Sequence, residues 1–363
     1  ARGGSPTPHH GGLRAGLRPG TEIIFVVKAD AYGHGMRPVA QEAWESGVKW
    51  FAVAHVDEAL DLREALPDAQ ILMVGALDPA GVGAAIEKRL LPVLVSERHA
   101  LALANAAAAL RKTLRCHAKI DTGMGRLGFG WEAAARELAP LARRHGLDIV
   151  GLCTHFASSD SADQSFAEGQ TERFCRAVAA CEAAGLRVPF KHVSNSGAIV
   201  GRASCDFDGV RPGILLYGYG PTGAAPRRVP TRPFLQWKTR LVQVKRVAAG
   251  FPVSYDSTHV TARETHVGTM DVGYADGYSR LLSNKGQALV EGRRKPVAGR
   301  VTMNLTALDL GPSTAAKEGD EVALVGTQGN EAIWADEMAA WRGTIPYEVL
   351  TNIRTQDRRL KPA

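Results

Sequence analysis

The residues with the clearest chemical potential lie in one run, Phe25-Val26-Val27-Lys28-Ala29-Asp30-Ala31-Tyr32-Gly33-His34-Gly35, where an apolar strand meets a lysine. An amine is a nucleophile only in its neutral form. Desolvation at the end of a buried strand favours that form, which is what condensation with a carbonyl requires. Gly33 and Gly35 allow a tight turn and close approach of backbone to a ligand, and Tyr32 lies near enough to offer it a hydroxyl. Taken alone, a lysine that closes a strand is equally a solvated strand terminus. Further polar side chains follow at intervals: Lys119, Arg126, His155, Asn195, Ser196 and Arg211.

Groups so far apart in sequence need a scaffold to gather them, and the pattern of the chain provides one. Short apolar runs at 25–30, 50–55, 71–75, 91–96, 115–121, 149–156, 190–196 and 209–217 alternate with helical stretches such as 56–63 and the alanine-rich 97–112. This alternation predicts an α/β fold, a (β/α)8 TIM-type barrel, in which chemistry gathers at the C-terminal ends of the strands. The polar residues fall there: Lys28 near the end of the first run, Lys119 and Arg126 about the end of the fifth, His155 at the sixth, Asn195 and Ser196 at the seventh, Arg211 in the eighth. Proline-rich 220–233 suits neither helix nor strand and marks a boundary. Beyond it, runs at 241–244, 287–290 and 321–325 with turn signals predict a smaller, mainly antiparallel β domain. The expected organisation is a poorly ordered Gly-, Pro- and Arg-rich lead-in at 1–20, the barrel at 21–219, a linker at 220–233 and the β domain at 234–363.

With 363 residues, 45% hydrophobic and 22% charged, the chain has the length for a large barrel plus a second domain. A net charge of +7, from 44 basic and 37 acidic residues, raises the question of a nucleic-acid partner. The basic residues are scattered in small groups such as Arg143-Arg144 and Arg293-Arg294-Lys295 without interleaved aromatics, so nucleic acid is discounted. Five cysteines, at 116, 153, 175, 181 and 205, form no CxxC pair and read as reduced, mostly buried thiols of a cytoplasmic protein. No metal is expected. No apolar run approaches the ~20 residues of a membrane span, so no membrane partner is expected. Ala1 in place of an initiating Met leaves room for a removed targeting segment.

Val26 to Gly35 resembles the pyridoxal-phosphate lysine motif of alanine racemases, whose pattern is close to VVKADAYGHG. Further segments extend the resemblance over both expected domains: CHAKIDTGMGRLG from Cys116, THF from Thr154, HVSNSG from His192, VRPGI from Val210, DVGYADGY from Asp271, RVTMN from Arg300 and TIPYEVL from Thr344. The resemblance implies a pyridoxal 5'-phosphate enzyme that racemises alanine, a homodimer in the cytoplasm that provides D-alanine for peptidoglycan. It implies that Lys28 carries the cofactor, with Tyr32, His155, Ser196, Arg211, Gly213, Ile214 and Tyr347 as further contacts. Arg211 would donate to the pyridine nitrogen with His155 behind it, while Ser196, Gly213, Ile214 and Tyr347 would serve the phosphate. Arg126 would meet the phenolic oxygen and the substrate carboxylate with its fork of donors, and Met303 would offer the carboxylate its backbone amide. Lys119, carbamylated in many members, would hold Arg126 as an anion. Without the resemblance, Ser194-Asn195-Ser196-Gly197 reads as a turn, Tyr347 as a packed aromatic, Tyr274 as a sheet tyrosine and Met303 as a strand methionine.

The same resemblance makes Tyr274 the second catalytic base, supplied by the partner subunit. Inverting a stereocentre by proton transfer removes a proton from one face and returns it to the other, which opposed groups do most directly. A phenol of pKa about 10 is a poor base near neutrality unless cations lower it, a field that Arg126 and Arg211 with His155 would supply. An arginine opposite the pyridine nitrogen cannot accept its proton, so the ring stays neutral, which favours racemisation over decarboxylation. A racemase of broader range, and a non-catalytic cofactor carrier, are the rival readings. Asn304 stands where the family usually has Asp, and Asp256 where it commonly has Gly. The lead-in also lacks the family's usual opening strand.

Overall fold

The computed structural model describes residues 2–3, 7–201, 205–220, 231–354 and 359–360. The chain divides into two compact units, Pro6–Ala31 with Met36–Arg232, and Tyr32–Gly35 with Pro233–Ala363 and Ala1–Ser5.

The first unit is built on eight parallel strands: β1 (Glu22–Val26), β2 (Trp50–Val53), β3 (Gln70–Met73), β4 (Leu90–Leu94), β5 (Leu114–Asp121), β6 (Leu147–Cys153), β7 (Phe190–Asn195) and β8 (Gly209–Arg211). They pair in the order β4-β3-β2-β1-β8-β7-β6-β5, and Val93 and Leu94 pair with His117 and Ala118 to close the barrel. Helices α1 (Met36–Glu45), α2 (Val56–Ala65), α3 (Val82–Glu87), α4 (Glu97–Ala109), α5 (Ala134–Ala142), α6 (Ser165–Ala183) and α7 (Ser196–Gly201) lie between strands. Both faces of such a strand are covered, so it reads as a continuous apolar run; Ile23, Ile24 and Phe25 are all buried. Ser96 caps α4 by accepting the His99 N–H at 3.2 Å, and that helix buries Ala100, Leu103, Ala104 and Ala107 along one face.

The second unit carries a mainly antiparallel sheet: β9 (Trp237–Val247), β10 (Thr265–Met270), β11 (Gln287–Val290), β12 (Arg293–Pro296), β13 (Thr306–Gly311), β14 (Glu321–Gln328) and β15 (Glu331–Ile333). The order is β12-β11-β14-β9-β10-β13, with β15 on β14. Long β9 joins the halves, pairing β14 through Trp237 to Arg240 and β10 from Leu241 onward. Helices α8 (Ala335–Arg342) and α9 (Pro346–Thr351) follow.

Several element ends differ from the sequence reading. The first strand stops at Val26 instead of running to 30, and the eighth stops at Arg211, where Gly213 (ψ −96°) turns the chain into a 3-10 helix over Ile214–Tyr217. Within the lead-in expected to be poorly ordered, Thr7–Gly16 is helical, and Arg2–Gly3 pairs in parallel with Arg359–Leu360, so a short opening strand is present. Of the expected linker, residues 221–230 lie outside the described residues. The five cysteines are free, and all but Cys175 are buried. Among the described residues, no helix is long and apolar enough to cross a membrane, and no group of His, Cys, Asp or Glu side chains is arranged to hold a metal ion.

Candidate active site

Lys28 lies one residue beyond β1, after Val27, and opens an uncommon turn: Ala29, Asp30, Ala31 and Tyr32 have φ between 51° and 54°. Consecutive left-handed L-residues cost roughly 1–2 kcal/mol each, so the surrounding structure must impose the conformation. Two carboxylates do so. Glu58 of α2 accepts the Ala29 N–H at 2.6 Å with one oxygen and the N–H groups of Ala54 and His55 at 2.8 and 3.2 Å with the other. Asp30 accepts the Met36 N–H at 2.7 Å, which fixes where the chain re-enters a right-handed helix. Sequence reasoning saw only a strand end with glycines and missed Glu58, whose signal was its place at the start of α2 beside β2.

Arg211 is 6% exposed and held from several sides. One terminal nitrogen donates to Nδ1 (2.6 Å) and the carbonyl (2.8 Å) of His192; the other donates to the carbonyls of Thr154 (2.6 Å) and Val193 (2.9 Å) and, at 3.4 Å, to Nδ1 of His155. None of these bonds uses Nε. A guanidinium only donates, so Nδ1 of His192 accepts, its proton lies on Nε2, and Nε2 donates to Nδ1 of His117 at 2.8 Å. His117 therefore carries its proton on Nε2, an atom with no partner among the described residues. Burial and then Arg211 push the His117 pKa down to about 3 and hold His192 well below the ordinary histidine value. Both imidazoles are neutral, and they form a two-ring relay behind Arg211 that the sequence did not reveal. Its packing signal was Gly151, where a Cβ would lie 2.4 Å from the His117 ring.

Lys28, Lys119, Arg126 and Arg211 share one electrostatic neighbourhood around His155 at the C-terminal end of the strands. Burial and then Arg126 lower the Lys28 pKa, with Glu58 opposing. Burial lowers that of Lys119, opposed by Cys153 and reinforced by Arg126 and Arg211. His155 is held well below the usual range by burial and then by Arg211, Lys119, Arg126 and Lys28. The arrangement attracts anions and keeps amines in reach of their neutral form. Arg126 is exposed on a loop folded back on β5, where Asp121 accepts the N–H groups of Gly123 and Gly125 at 2.9 and 3.1 Å.

Beside this cluster, Ser196 Oγ accepts the Gly213 N–H at 2.9 Å and the Leu215 N–H at 3.4 Å, which ties the end of β7 to the turn after β8 and places Gly213 and Ile214 next to it. In the second unit, the rings of Tyr32 and Tyr347 lie 5.9 Å apart. Gly33 permits this pairing, since a Cβ there would lie 2.1 Å from the Leu350 carbonyl oxygen of α9. Burial, then Tyr347, raises the Tyr32 pKa, so its hydroxyl stays protonated as a donor.

Tyr274 and Met303 also meet within the second unit. The N–H groups of Tyr274 and Ala275 donate to the carbonyls of Thr302 and Met303, each at 3.0 Å, across Gly273, where a Cβ would touch both carbonyls at 2.3 Å. Tyr274 is 43% and Met303 56% exposed. Asn304 is exposed beside them, and Asp256 takes the left-handed conformation (φ 58°) with its carboxylate 2.9 Å from Nε of Arg300.

A model of the alanine racemase N-terminal domain matches residues 12–221, and one of the C-terminal domain matches residues 234–361. The chain belongs to the alanine racemase family. It is accordingly an enzyme, an isomerase by class. The alanine racemase of Carboxydothermus hydrogenoformans is 44% identical over 333 residues, 92% of this chain and 90% of that protein. The structure of the Clostridium difficile alanine racemase superposes with a TM-score of 0.94 at 29% identity, covering 99% of this chain and 95% of that one. The Bartonella henselae alanine racemase, described with covalently bound pyridoxal phosphate, superposes with a TM-score of 0.87 at 27% identity, covering 99% and 97%.

Proposed function

We propose that the protein interconverts L- and D-alanine with pyridoxal 5'-phosphate held on Lys28, as a homodimer in which Tyr274 of the partner subunit is the second base. The observation that carries this reading is the half-buried Lys28 amine, its pKa lowered by burial and Arg126, within the electrostatic reach of His155 and Arg126 at the C-terminal end of the barrel. The donor set suits the cofactor. A lowered amine suits an aldehyde, Arg211 keeps Nε clear of its five bonds for a ring nitrogen, and Ser196 with Gly213 and Ile214 suits a phosphate, with Tyr32 and Tyr347 as hydroxyl donors.

When bound, pyridoxal phosphate supplies the electron sink that makes the α-proton of an amino acid removable. Every other task falls to the chain. Arg126 and the backbone amide of Met303 of the partner subunit bind the substrate carboxylate. Lys28 Nζ and Tyr274 Oη, on opposite faces, take the α-proton from one enantiomer and return one to the other. Arg211 presents a charge that accepts no proton, and the neutral His155 and His192 hold it without adding charge. Lys119, its amine brought toward neutrality by burial, is suited to take up carbon dioxide and so turn a cation into an anion between Arg126 and Arg211. An intact mass of the folded protein lacking that adduct excludes the carbamate.

The dimer is supported by the exposure of four large side chains of the second unit, Tyr255, Tyr274, Met303 and Leu305, of which Tyr255 and Leu305 line one hollow. In this reading the enzyme works in the cytoplasm and its D-alanine serves peptidoglycan. The test is incubation of the cofactor-loaded protein with L-alanine in deuterated water. Loss of optical activity with deuterium at the α-carbon is expected. Release of carbon dioxide, or no reaction, overturns the proposal, and a panel of other amino acids sets the range.

A further inference from the structure

The end of the barrel opposite Lys28, where strands begin, holds a cavity of about 340 Å³ beneath the starts of β3, β4 and β5. Three arginines line it, Arg63, Arg89 and Arg115, against one acid, Asp68. Arg63 is 8% exposed, and its guanidinium donates to the carbonyls of Leu66, Pro67, Ala69, Lys88 and Arg89 at 2.8 to 3.2 Å. Carbonyl dipoles solvate a cation but leave its charge. The charge is felt: burial and then Arg89 lower the Arg63 pKa, and Asp68 opposes only as a third influence. Asp68 is itself 81% exposed on its side chain and 3.8 Å from Arg89.

Arg89 is preorganised at the rim. Its backbone is left-handed (φ 52°), its carbonyl accepts from Arg63, and its own guanidinium donates to the Pro67 carbonyl at 2.7 Å. Arg115, at the start of β5, is held more loosely, 3.7 Å from Asp148. Gln70 and Thr113 add polar groups to the wall. The cavity thus combines excess positive charge, a buried cation that no carboxylate touches among the described residues, and the size of a small-molecule site.

We propose that this cavity binds a small multivalent oxyanion, gripped by Arg89 and Arg115 with the field of Arg63 behind them. Two guanidinium forks at a rim match an anion bearing two separated charged groups, as a diphosphate or a polycarboxylate does. Such a site lies away from the alanine-binding end of the barrel and does not depend on the reaction proposed there.

The experiment uses the cofactor-loaded enzyme at low salt, titrated in parallel with inorganic pyrophosphate and with citrate by calorimetry and by thermal shift. Saturable binding of one or both is expected, with half-saturation unchanged by saturating alanine and raised at least tenfold by Arg89→Gln and by Arg115→Gln. Both side chains are exposed, so the variants fold, which their unchanged far-ultraviolet circular dichroism verifies. A preference between the two probes identifies the phosphate or the carboxylate class. No saturable binding, binding that alanine displaces, or binding that both variants retain overturns the site.

Discussion

Acidification from pH about 7.5 to about 5 should destabilise the barrel through its buried histidines, and His117 allows the size of the effect to be worked out. Its folded pKa is about 3, against about 6.5 in an unfolded chain. The sign follows from which state binds the proton. Above 6.5 neither state does, and no stability depends on it. Between the two values the unfolded chain takes up a proton that the folded one refuses, so stability falls as pH falls. At pH about 5 the loss from His117 alone is about 2 kcal/mol, from 1.36 kcal/mol per pH unit over roughly one and a half units. His155 and His192, also held low by burial, act in the same direction. The perturbation is His117→Gln, whose carbonyl still accepts from His192 and which does not titrate. Equilibrium urea unfolding at both pH values should show the wild type losing about 2 kcal/mol more than the variant on acidification. Equal losses would refute the neutral relay.

Three further outcomes follow from the same geometry. Tyr274→Phe should leave the fold and cofactor binding intact while lowering the racemisation rate in at least one direction by roughly 10²-fold or more, measured by coupled assays run both ways; unchanged rates remove the tyrosine from the mechanism. Gly151→Ala should lower stability by about 1–3 kcal/mol in urea titrations, because the added carbon overlaps the fully buried His117 ring, and a neutral result would mean that the ring moves freely. Ala29→Gly relieves one exposed left-handed residue and should stabilise by up to about 1 kcal/mol, read as a higher melting temperature; a loss of similar size would place the origin of the turn elsewhere.

The barrel was legible because each buried parallel strand is a short unbroken apolar run, and because the alternation with helices repeats around the whole ring. The ends of strands were less so. Nothing in Val26-Val27-Lys28-Ala29-Asp30-Ala31 announces a left-handed turn, since alanine disfavours it, and the groups that impose it lie elsewhere in sequence, above all Glu58. Tertiary contacts overrode local preference there. Lys28, Lys119, Arg126, His155 and Arg211 were found by their place at the strand ends, and their family motifs assigned them roles. His192 and His117 escaped notice as a pair because a buried histidine in a strand has no pattern of its own. Only the register of β5 beside β6 and of β6 beside β7 brings the two rings together. Tyr274 and Met303 gave no local sign of chemistry, yet the Gly273 contact that joins them was written in the GYADG segment.

The account turns on the amine of Lys28, and reduction with borohydride tests it most directly. The purified, cofactor-loaded protein should be yellow, lose that colour on reduction, and yield on digestion a single pyridoxyl-labelled peptide with the label on Lys28. A label on Lys119 or any other lysine, or no label at all, would contradict the account.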